Sequence, residues 1–306
     1  MVERKPILDA ICHLILVVGV ILICVPLYFA LVAGSHSLEE MRSLPMPLLP
    51  GGEFLANAET AWNKAHLGRL FVNSFIVAIG ITVGKIAVSI LSAFAITYFR
   101  FPFRMTAFWL IFASLMLPVE VRIVPTYESV VNAALPLQWL LDLLDVGGWL
   151  APITGQRYEI ALDWNMLDSY QGLILPLIAS ATATFLFRQF FLTVPDELCE
   201  ASRLDGASPL RFLFDILLPL SRSNIIALAI ILFLYGWNQY LWPLLFTTKA
   251  EMQTVVIGLK NLIPRSDTEP AWNIALNAAL LAMVPPAILV IGLQRWFVRG
   301  LIDSSK

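Results

Sequence analysis

The sequence predicts an all-α, polytopic membrane protein with six transmembrane helices and a two-helix hairpin on the cytoplasmic side. The first observation is composition: 58% of the 306 residues are hydrophobic and 14% are charged, against about 25% charged in a typical soluble domain. The second is that six segments are long and apolar enough to cross a bilayer. The third is one polar segment of 25 residues that interrupts them, from Pro195 to Pro219.

Each predicted span contains about 20 mostly apolar residues, the length at which a helix crosses the hydrocarbon core. The six are Ile11–Ala33, Phe71–Tyr98, Met105–Ile123, Tyr170–Phe187, Ile225–Thr248 and Ile274–Phe297. The first follows Arg4 and Lys5, as a signal peptide would, but its length and the lack of a small-residue cleavage pattern predict an uncleaved span. The third is the weakest, because Glu120 and Arg122 interrupt its far end.

These spans divide the chain into a cytoplasmic N-terminus (1–10), a six-span transmembrane domain (11–298) and a cytoplasmic tail (299–306). Loops on the outer side are predicted at about 34–70, 124–169 and 249–273. The short basic loop Arg100–Arg104 is the most diagnostic for orientation, because positive charge in short loops stays in the cytoplasm. We therefore expect both termini and the hairpin (195–219) in the cytoplasm.

A seventh span at Leu135–Leu150 would place the hairpin on the opposite side from the N-terminus. Asp142 and Asp145 interrupt this segment, and Gly147-Gly148 would break its helix. An amphipathic segment lying on the membrane surface is therefore the preferred interpretation.

The polar segment predicts two short helices around a turn. Thr193 is positioned to cap the first helix, with Pro195 in its opening turn. Gly206 is expected to end that helix in a left-handed conformation, and Ser208 with Pro209 is expected to start the second.

The sequence contains no pattern that indicates nucleic-acid binding, a metal site or catalysis. A net charge of −2 does not favour nucleic-acid binding. The three histidines and three cysteines are scattered, so no metal site is predicted. No nucleophile elbow or Gly-rich nucleotide loop indicates catalytic or cofactor-binding residues. Any energy derived from ATP must therefore reach the chain through a partner.

Gly80 and Gly84 precede Lys85 in the second span. Their spacing fails the phosphate-loop pattern, whereas small residues four apart favour close packing of membrane helices. Lys85 either faces a pathway for an anionic solute or is paired within the bundle. Arg122 either meets an incoming anion or pairs with Glu120.

The fifth span contains a patch of amides and aromatic residues: Trp237, Asn238, Gln239 and Tyr240. Amides in a membrane helix are costly unless they bond a neighbouring helix or line a wet cavity, while Trp and Tyr also mark the membrane interface. We therefore hold these residues as candidates for lining a solute pathway. The fourth span carries three hydroxyl residues expected to serve interhelical packing: Ser180, Thr182 and Thr184.

The polar segment also has a fixed internal spacing: Glu200-Ala201-Ser202, then Gly206, then Ile216 and Leu218-Pro219. This spacing resembles the E-A-A…G…I-x-L-P signature of permease subunits of bacterial ABC importers, with Ser202 in place of the second alanine. Stretches such as LMLPVEVRI (115–123) and YGWNQYLWPLL (235–245) make the chain similar to the carbohydrate-importer branch, which includes the inner maltose permease. It is most similar to the permease subunits of sn-glycerol-3-phosphate importers. The segment at about 129–164 looks like an insertion.

The resemblance implies that the hairpin docks in a cleft of an ATPase subunit and carries its motion into the membrane. Glu200 is then the best candidate for a charged contact, with Ala201 and Ser202 as a close-packed face. The full set of implied coupling residues is Glu200, Ala201, Ser202, Arg203, Asp205, Gly206 and Pro219. The chain itself would not be an enzyme and would bind no cofactor, since ATP and Mg²⁺ would be held by the partner ATPases.

The resemblance further implies a bacterial inner-membrane complex. Its other members would be a second homologous permease subunit, a dimer of ATPase subunits and an external solute-binding protein that contacts the loop at 249–273. The implied solute is sn-glycerol-3-phosphate or a glycerophosphodiester. A neutral sugar or oligosaccharide remains an alternative, as does a self-sufficient secondary transporter or channel.

Overall fold

A computed structural model describes residues 6–114, 117, 119–145, 161–263 and 270–303. Throughout these ranges the regular structure is helical and no strand occurs, which confirms the all-α prediction. The α-helices are α1 (Pro6–Gly34), α2 (Leu38–Arg42), α3 (Phe54–Lys64), α4 (Leu67–Tyr98), α5 (Arg104–Ala113), α6 (Val119–Val131), α7 (Leu135–Leu143), α8 (Tyr170–Ile174), α9 (Ala181–Phe191), α10 (Asp196–Leu204), α11 (Pro209–Phe212), α12 (Leu218–Leu220), α13 (Arg222–Trp237), α14 (Leu241–Phe246), α15 (Val255–Asn261) and α16 (Trp272–Asp303).

Several of these helices have the length and apolar composition of membrane spans. Three qualify as single helices within the described residues: Ile7–Gly34, Leu67–Tyr98 and Trp272–Gln294. Two bent pairs also qualify: Tyr170–Leu177 with Ala181–Phe191, bent by 48°, and Pro209–Leu220 with Arg222–Trp237, bent by 76°. The helix α5 is a shorter apolar helix of 10 residues. Together they support a multi-pass membrane protein.

Three predicted spans are not single helices. The fourth is broken between a 3₁₀ turn at Leu175–Leu177 and Ser180, whose extended backbone caps α9. The fifth ends as α13 at Trp237, and α14 starts only at Leu241. The third is divided between α5 and α6, which continues to Val131. Hydropathy averaged over about 20 residues does not detect an interruption of a few residues, so it predicts all three as continuous spans.

Other predicted boundaries also move. The last helix, α16, continues to Asp303, past the predicted end of the sixth span, so most of the predicted tail is helical. The helix α7 has only nine residues, fewer than the roughly 17 needed to cross a bilayer, and Asp145 follows it with a φ of 45°. The segment Leu135–Leu143 is therefore not a seventh span, while residues 146–160 lie outside the described ranges.

The chain forms two compact units. The first comprises Met1–Phe71 and Val255–Ala287. Buried asparagines join its helices: the Asn57 amide donates to the carbonyls of Gly34 (3.0 Å) and His36 (2.9 Å). The Asn273 amide donates to Asn57 Oδ1 at 3.0 Å, and that of Asn277 donates to the Gly34 carbonyl at 3.0 Å. Amide hydrogen bonds of this kind hold membrane-type helices together where apolar contacts add little.

The second unit comprises Val72–Thr254 and Ile288–Lys306 and contains the hairpin. Its interior has two apolar clusters. One is built on large side chains of α4, α9 and the hairpin, and it includes Phe94, Phe187, Phe191, Phe212 and Leu217. The other includes Val77, Ile81, Leu173, Trp242 and Phe246. The candidate functional residues lie beside these two clusters.

Candidate functional site

In the hairpin, the first helix is capped at its C-terminal end and the second at its N-terminal end. The α10 helix ends in a paired hydrogen-bond motif: the Ala207 N–H donates to the Ser202 carbonyl and the Gly206 N–H to the Arg203 carbonyl, each at 3.0 Å. Gly206 has a φ of 72°, which confirms the predicted left-handed end of the helix. Ser208 Oγ accepts the Arg211 N–H at 3.3 Å and starts α11 as predicted.

The start of the hairpin differs from the prediction. Thr193 does not cap α10, because its hydroxyl donates to the Phe190 carbonyl at 2.7 Å and so closes the end of α9. Pro195 occupies the capping position and provides no side-chain hydrogen bond. Asp196 and Glu197 in the first turn still favour the positive end of the helix.

The second helix of the hairpin contains a π-helical turn at Leu213–Leu217, which ends two residues before Pro219. Proline has no N–H to donate to the carbonyl four residues earlier, and its ring displaces that carbonyl, so a wider turn forms at this point. Arg211 Nε and Asp215 Oδ2 form an exposed ion pair at 3.2 Å. Arg203 and Asp205, two of the implied coupling residues, form no ion pair with each other within the described part of the chain.

The exposed face of α10 carries Glu200 and Ala201. Ser202 is only 5% exposed and faces the interior of the second unit, whereas Ala201, the other residue of the implied close-packed face, is exposed. It lines a small cavity of about 170 Å³ together with Tyr98 and Phe212. The two rings lie 5.3 Å apart, which joins the hairpin to the end of α4.

A larger cavity of about 540 Å³ lies in the second unit. It is lined by both candidate cations, Lys85 and Arg122, and by Gln239. Hydroxyl side chains make up much of the remaining polar lining: Ser92, Ser114, Thr126, Ser180, Thr182 and Thr184. The fourth-span hydroxyls therefore line a cavity, where we had expected packing between helices.

Lys85 is buried at 7% exposure, and its Nζ lies 3.8 Å from the centroid of the Tyr235 ring. Cation–π contacts are worth about 2 kcal/mol when desolvated, and they leave the positive charge uncompensated. None of the described residues lining this cavity is acidic. The Glu120 side chain, an expected partner of Arg122, lies outside the described side chains.

The two glycines before Lys85 allow the broken span to approach α4 closely. A Cβ at Gly80 would lie 2.5 Å from Ile174 Cδ1, and one at Gly84 would overlap Ile178. This confirms the prediction that these glycines serve close packing. Ala179 and Ser180, in the break that follows Ile178, line the same cavity as Lys85.

The other candidates from the fifth span lie outside the cavity lining. Trp237 is 2% exposed and contacts the rings of Phe75 and Phe233, at 5.0 and 5.8 Å between centroids. Asn238 and Tyr240 are exposed in the interruption between α13 and α14.

Sequence reasoning missed the residues that fix the segment before α15. Asp168 Oδ1 accepts the backbone N–H groups of Thr248 (2.6 Å) and Lys249 (2.8 Å). The Asn73 amide donates to the carbonyls of Glu251 (2.8 Å) and Gln253 (2.9 Å). No local sequence pattern connects these positions. The break at 178–180, in contrast, had a signal: Pro176 followed by Ser180, a helix-capping residue, before an apolar run.

Comparison with known proteins gives one family and a consistent set of relatives. Residues 85–303 match the family described as binding-protein-dependent transport system inner membrane component. The sn-glycerol-3-phosphate transport system permease protein UgpE of Agrobacterium fabrum is 48% identical over 313 residues, and that of Yersinia pestis is 49% identical over 312 residues. Both alignments cover 100% of this chain and 100% of the relative.

One solved structure shows the same fold. A chain from a bacterial ABC transporter involved in the import of the acidic polysaccharide alginate superposes with a TM-score of 0.73. The superposition covers 97% of this chain and 99% of that chain, at 15% sequence identity.

Proposed function

The chain belongs to the family of binding-protein-dependent transport system inner membrane components, and from this membership we propose that it is the permease subunit of an ATP-driven importer of sn-glycerol-3-phosphate. The relatives support the proposed solute: proteins named sn-glycerol-3-phosphate transport system permease are 48–49% identical to this chain over their whole length. Two cations beside one cavity also suit an anionic solute better than a neutral sugar.

The hairpin is the element that couples the permease to ATP hydrolysis. The observation that carries this proposal is its construction: a helix with a paired hydrogen-bond end at Gly206, and Glu200 and Ala201 on its exposed face. A capped helix resists bending, so force applied at α10 passes to α13 through the turns that follow. An exposed carboxylate offers a contact to a basic group of the ATPase.

The complete importer contains subunits that supply what this chain lacks. A dimer of ATPase subunits holds ATP and Mg²⁺, a second homologous permease completes the pathway, and a solute-binding protein delivers the solute at the outer loops. The chain lies in the bacterial inner membrane with both termini and the hairpin in the cytoplasm, where the short basic loop Arg100–Arg104 also lies. Within the bundle, the cavity beside Lys85, Arg122 and Gln239 forms part of the solute pathway.

Uptake by the complete complex tests this function. The complex is reconstituted into proteoliposomes, supplied with ATP on the cytoplasmic face and with the binding protein on the other, and given labelled sn-glycerol-3-phosphate or maltose. We expect ATP-dependent uptake of sn-glycerol-3-phosphate only. Complexes assembled without this chain should show none, and vesicles with this chain alone should be inactive.

Two results would overturn the proposal. Uptake of maltose in place of sn-glycerol-3-phosphate would assign the chain to a neutral-sugar importer. ATP-independent flux through vesicles containing only this chain would make it a secondary transporter or channel.

A further inference from the structure

The cavity beside Lys85 contains the N-terminal end of a helix. The α9 helix has 11 residues and begins at Ala181 after the capping residue Ser180. Ser180 accepts the Ala183 N–H with Oγ (3.3 Å) and the Thr184 N–H with its carbonyl (3.0 Å). The N–H groups of Ala181 and Thr182 find no acceptor among the described residues. These two amides carry the partial positive charge of the helix end.

A second, independent feature is the buried amine on the facing helix. Lys85 is more than nine-tenths buried and lines the same cavity as Ala181 and Thr182. It makes no ion pair or hydrogen bond within the described part of the chain, and its contact is the Tyr235 ring. An unpaired ammonium inside a membrane bundle is costly, so the site as built favours an anion that would complete it.

The glycine contacts explain why these two features lie together. Because Gly84 has no side chain, Ile178 packs directly against α4, and the break between α8 and α9 lines the same cavity as Lys85. The hydroxyl groups of Ser92 and Thr182 also line the cavity, and neither makes a hydrogen bond among the described residues. Backbone amides, a hydroxyl and a lysine are the donors that proteins use to hold phosphoryl oxygens.

We propose that this cavity is a phosphoryl-binding subsite, in which Lys85 and the Ala181 and Thr182 amides donate to the oxygens of a phosphate monoester or diester. The inference rests on the proposed function, since the phosphoryl group is that of the transported solute. It adds that this chain itself binds the solute. Arg122 lies on the same cavity and raises the positive potential for an entering anion.

Binding to the complete importer in detergent tests the subsite directly. The probe is labelled sn-glycerol-3-phosphate, measured without the binding protein, with inorganic phosphate and glycerol as competitors. We expect competition by phosphate and none by glycerol. Lys85→Met should weaken binding by about 10- to 100-fold, the equivalent of one charged hydrogen bond. Lys85→Arg keeps the positive charge on a larger, planar group, so it should weaken binding less than Lys85→Met does.

A backbone variant separates the helix amides from the lysine. Ala181→Pro removes one N–H at the first helical position, where proline is best tolerated. It should weaken binding by about tenfold, one hydrogen bond to a charged group, with an unchanged melting temperature. Lys64→Met in α3, the same substitution on a residue outside the cavity lining, should change neither binding nor stability.

The outcomes distinguish this subsite from the transport function itself. If the wild-type complex imports sn-glycerol-3-phosphate while Lys85→Met and Ala181→Pro bind and import it normally, the subsite is wrong and the function stands. If the wild-type complex binds phosphate through Lys85 but imports a different solute, the function is wrong. Native mass spectrometry that finds a phospholipid retained by wild type and lost in Lys85→Met, with no displacement by sn-glycerol-3-phosphate, would also overturn the solute subsite.

Discussion

Gly236 in α13 packs against the backbone of Ala78 in α4: a Cβ at position 236 would lie 2.9 Å from the Ala78 Cα. The neighbouring residue, Tyr235, is the one whose ring lies under the Lys85 amine. Small residues let membrane helices approach this closely, so the contact of Gly236 with Ala78 sets the distance at which Tyr235 meets Lys85.

Gly236→Ala should therefore destabilise the protein, because the added methyl meets backbone that cannot move aside. We expect a loss of about 1–3 kcal/mol, typical of overpacking, measured as a lower melting temperature of the purified complex. Gly292→Ala in α16 is the matched control, since a Cβ there has no atom within 4 Å. Equal melting temperatures for both variants would show that the close approach is not required.

Gly206→Ala tests the turn of the hairpin. A Cβ at this position meets no neighbour, so only the φ of 72° opposes the substitution. The left-handed conformation costs a non-glycine residue about 1–2 kcal/mol, whereas asparagine adopts it more readily. We expect binding-protein-stimulated ATP hydrolysis to fall in Gly206→Ala and to recover at least partly in Gly206→Asn. Identical activity in Ala, Asn and wild type would contradict a requirement for this turn.

We expect the hydrogen bonds of Asp168 to protect the segment after α14 from proteolysis. Its carboxylate accepts two backbone N–H groups and the Thr248 hydroxyl, and such charged hydrogen bonds are each worth about 1.5–3 kcal/mol. Asp168→Ala should increase trypsin cleavage after Lys249 about tenfold or more. Asp168→Asn retains an acceptor and tolerates the φ of 52° at this position, so its increase should be smaller. Unchanged cleavage in Asp168→Ala would exclude this restraint.

The same carboxylate predicts the direction of a pH effect. Burial raises the pKa of Asp168, but the hydrogen bonds from Lys249 and Thr248 outweigh it and hold the pKa below its ordinary value of 3.8. A lowered pKa means that the stabilising contribution is complete above the ordinary value and is lost as the pH falls below it. Protection of backbone amides at 248 and 249 from hydrogen exchange should therefore persist at pH 5 and decrease below about pH 4. Protection that decreases with rising pH would contradict this assignment.

Local structure around the hairpin could be predicted because its signals are adjacent in the sequence. Gly206 ends one helix and Ser208 begins the next through bonds to residues no more than three positions away. The prediction that Thr193 caps α10 is wrong for a similarly local reason. Its hydroxyl donates to the carbonyl of Phe190, three residues earlier, and therefore does not cap the helix that follows.

The cavity could be predicted only in part. Lys85 stood out in the sequence as a charge in an apolar span, but its neighbours Tyr235 and Thr182 come from distant segments. These residues come together because α13 and the broken fourth span both pack against α4. The hydrophobic pattern of one segment does not predict which other segments it packs against. The same holds for Ser202. Its position in the motif can be identified from the sequence, but only the structure shows that its side chain faces the interior.

The role of the hairpin is tested most directly by reversing the charge of Glu200, which lies exposed on α10. The complete complex is purified through this chain, and the measurement is the amount of ATPase subunit retained, together with ATP-dependent uptake of sn-glycerol-3-phosphate. Glu59→Lys on the exposed face of α3 makes the same charge change outside the hairpin and serves as the control. We expect Glu200→Lys to stay in the membrane and lose ATPase subunit and uptake by tenfold or more, about 1.4 kcal/mol, while the control remains normal. Wild-type retention and uptake in Glu200→Lys would contradict coupling through this hairpin.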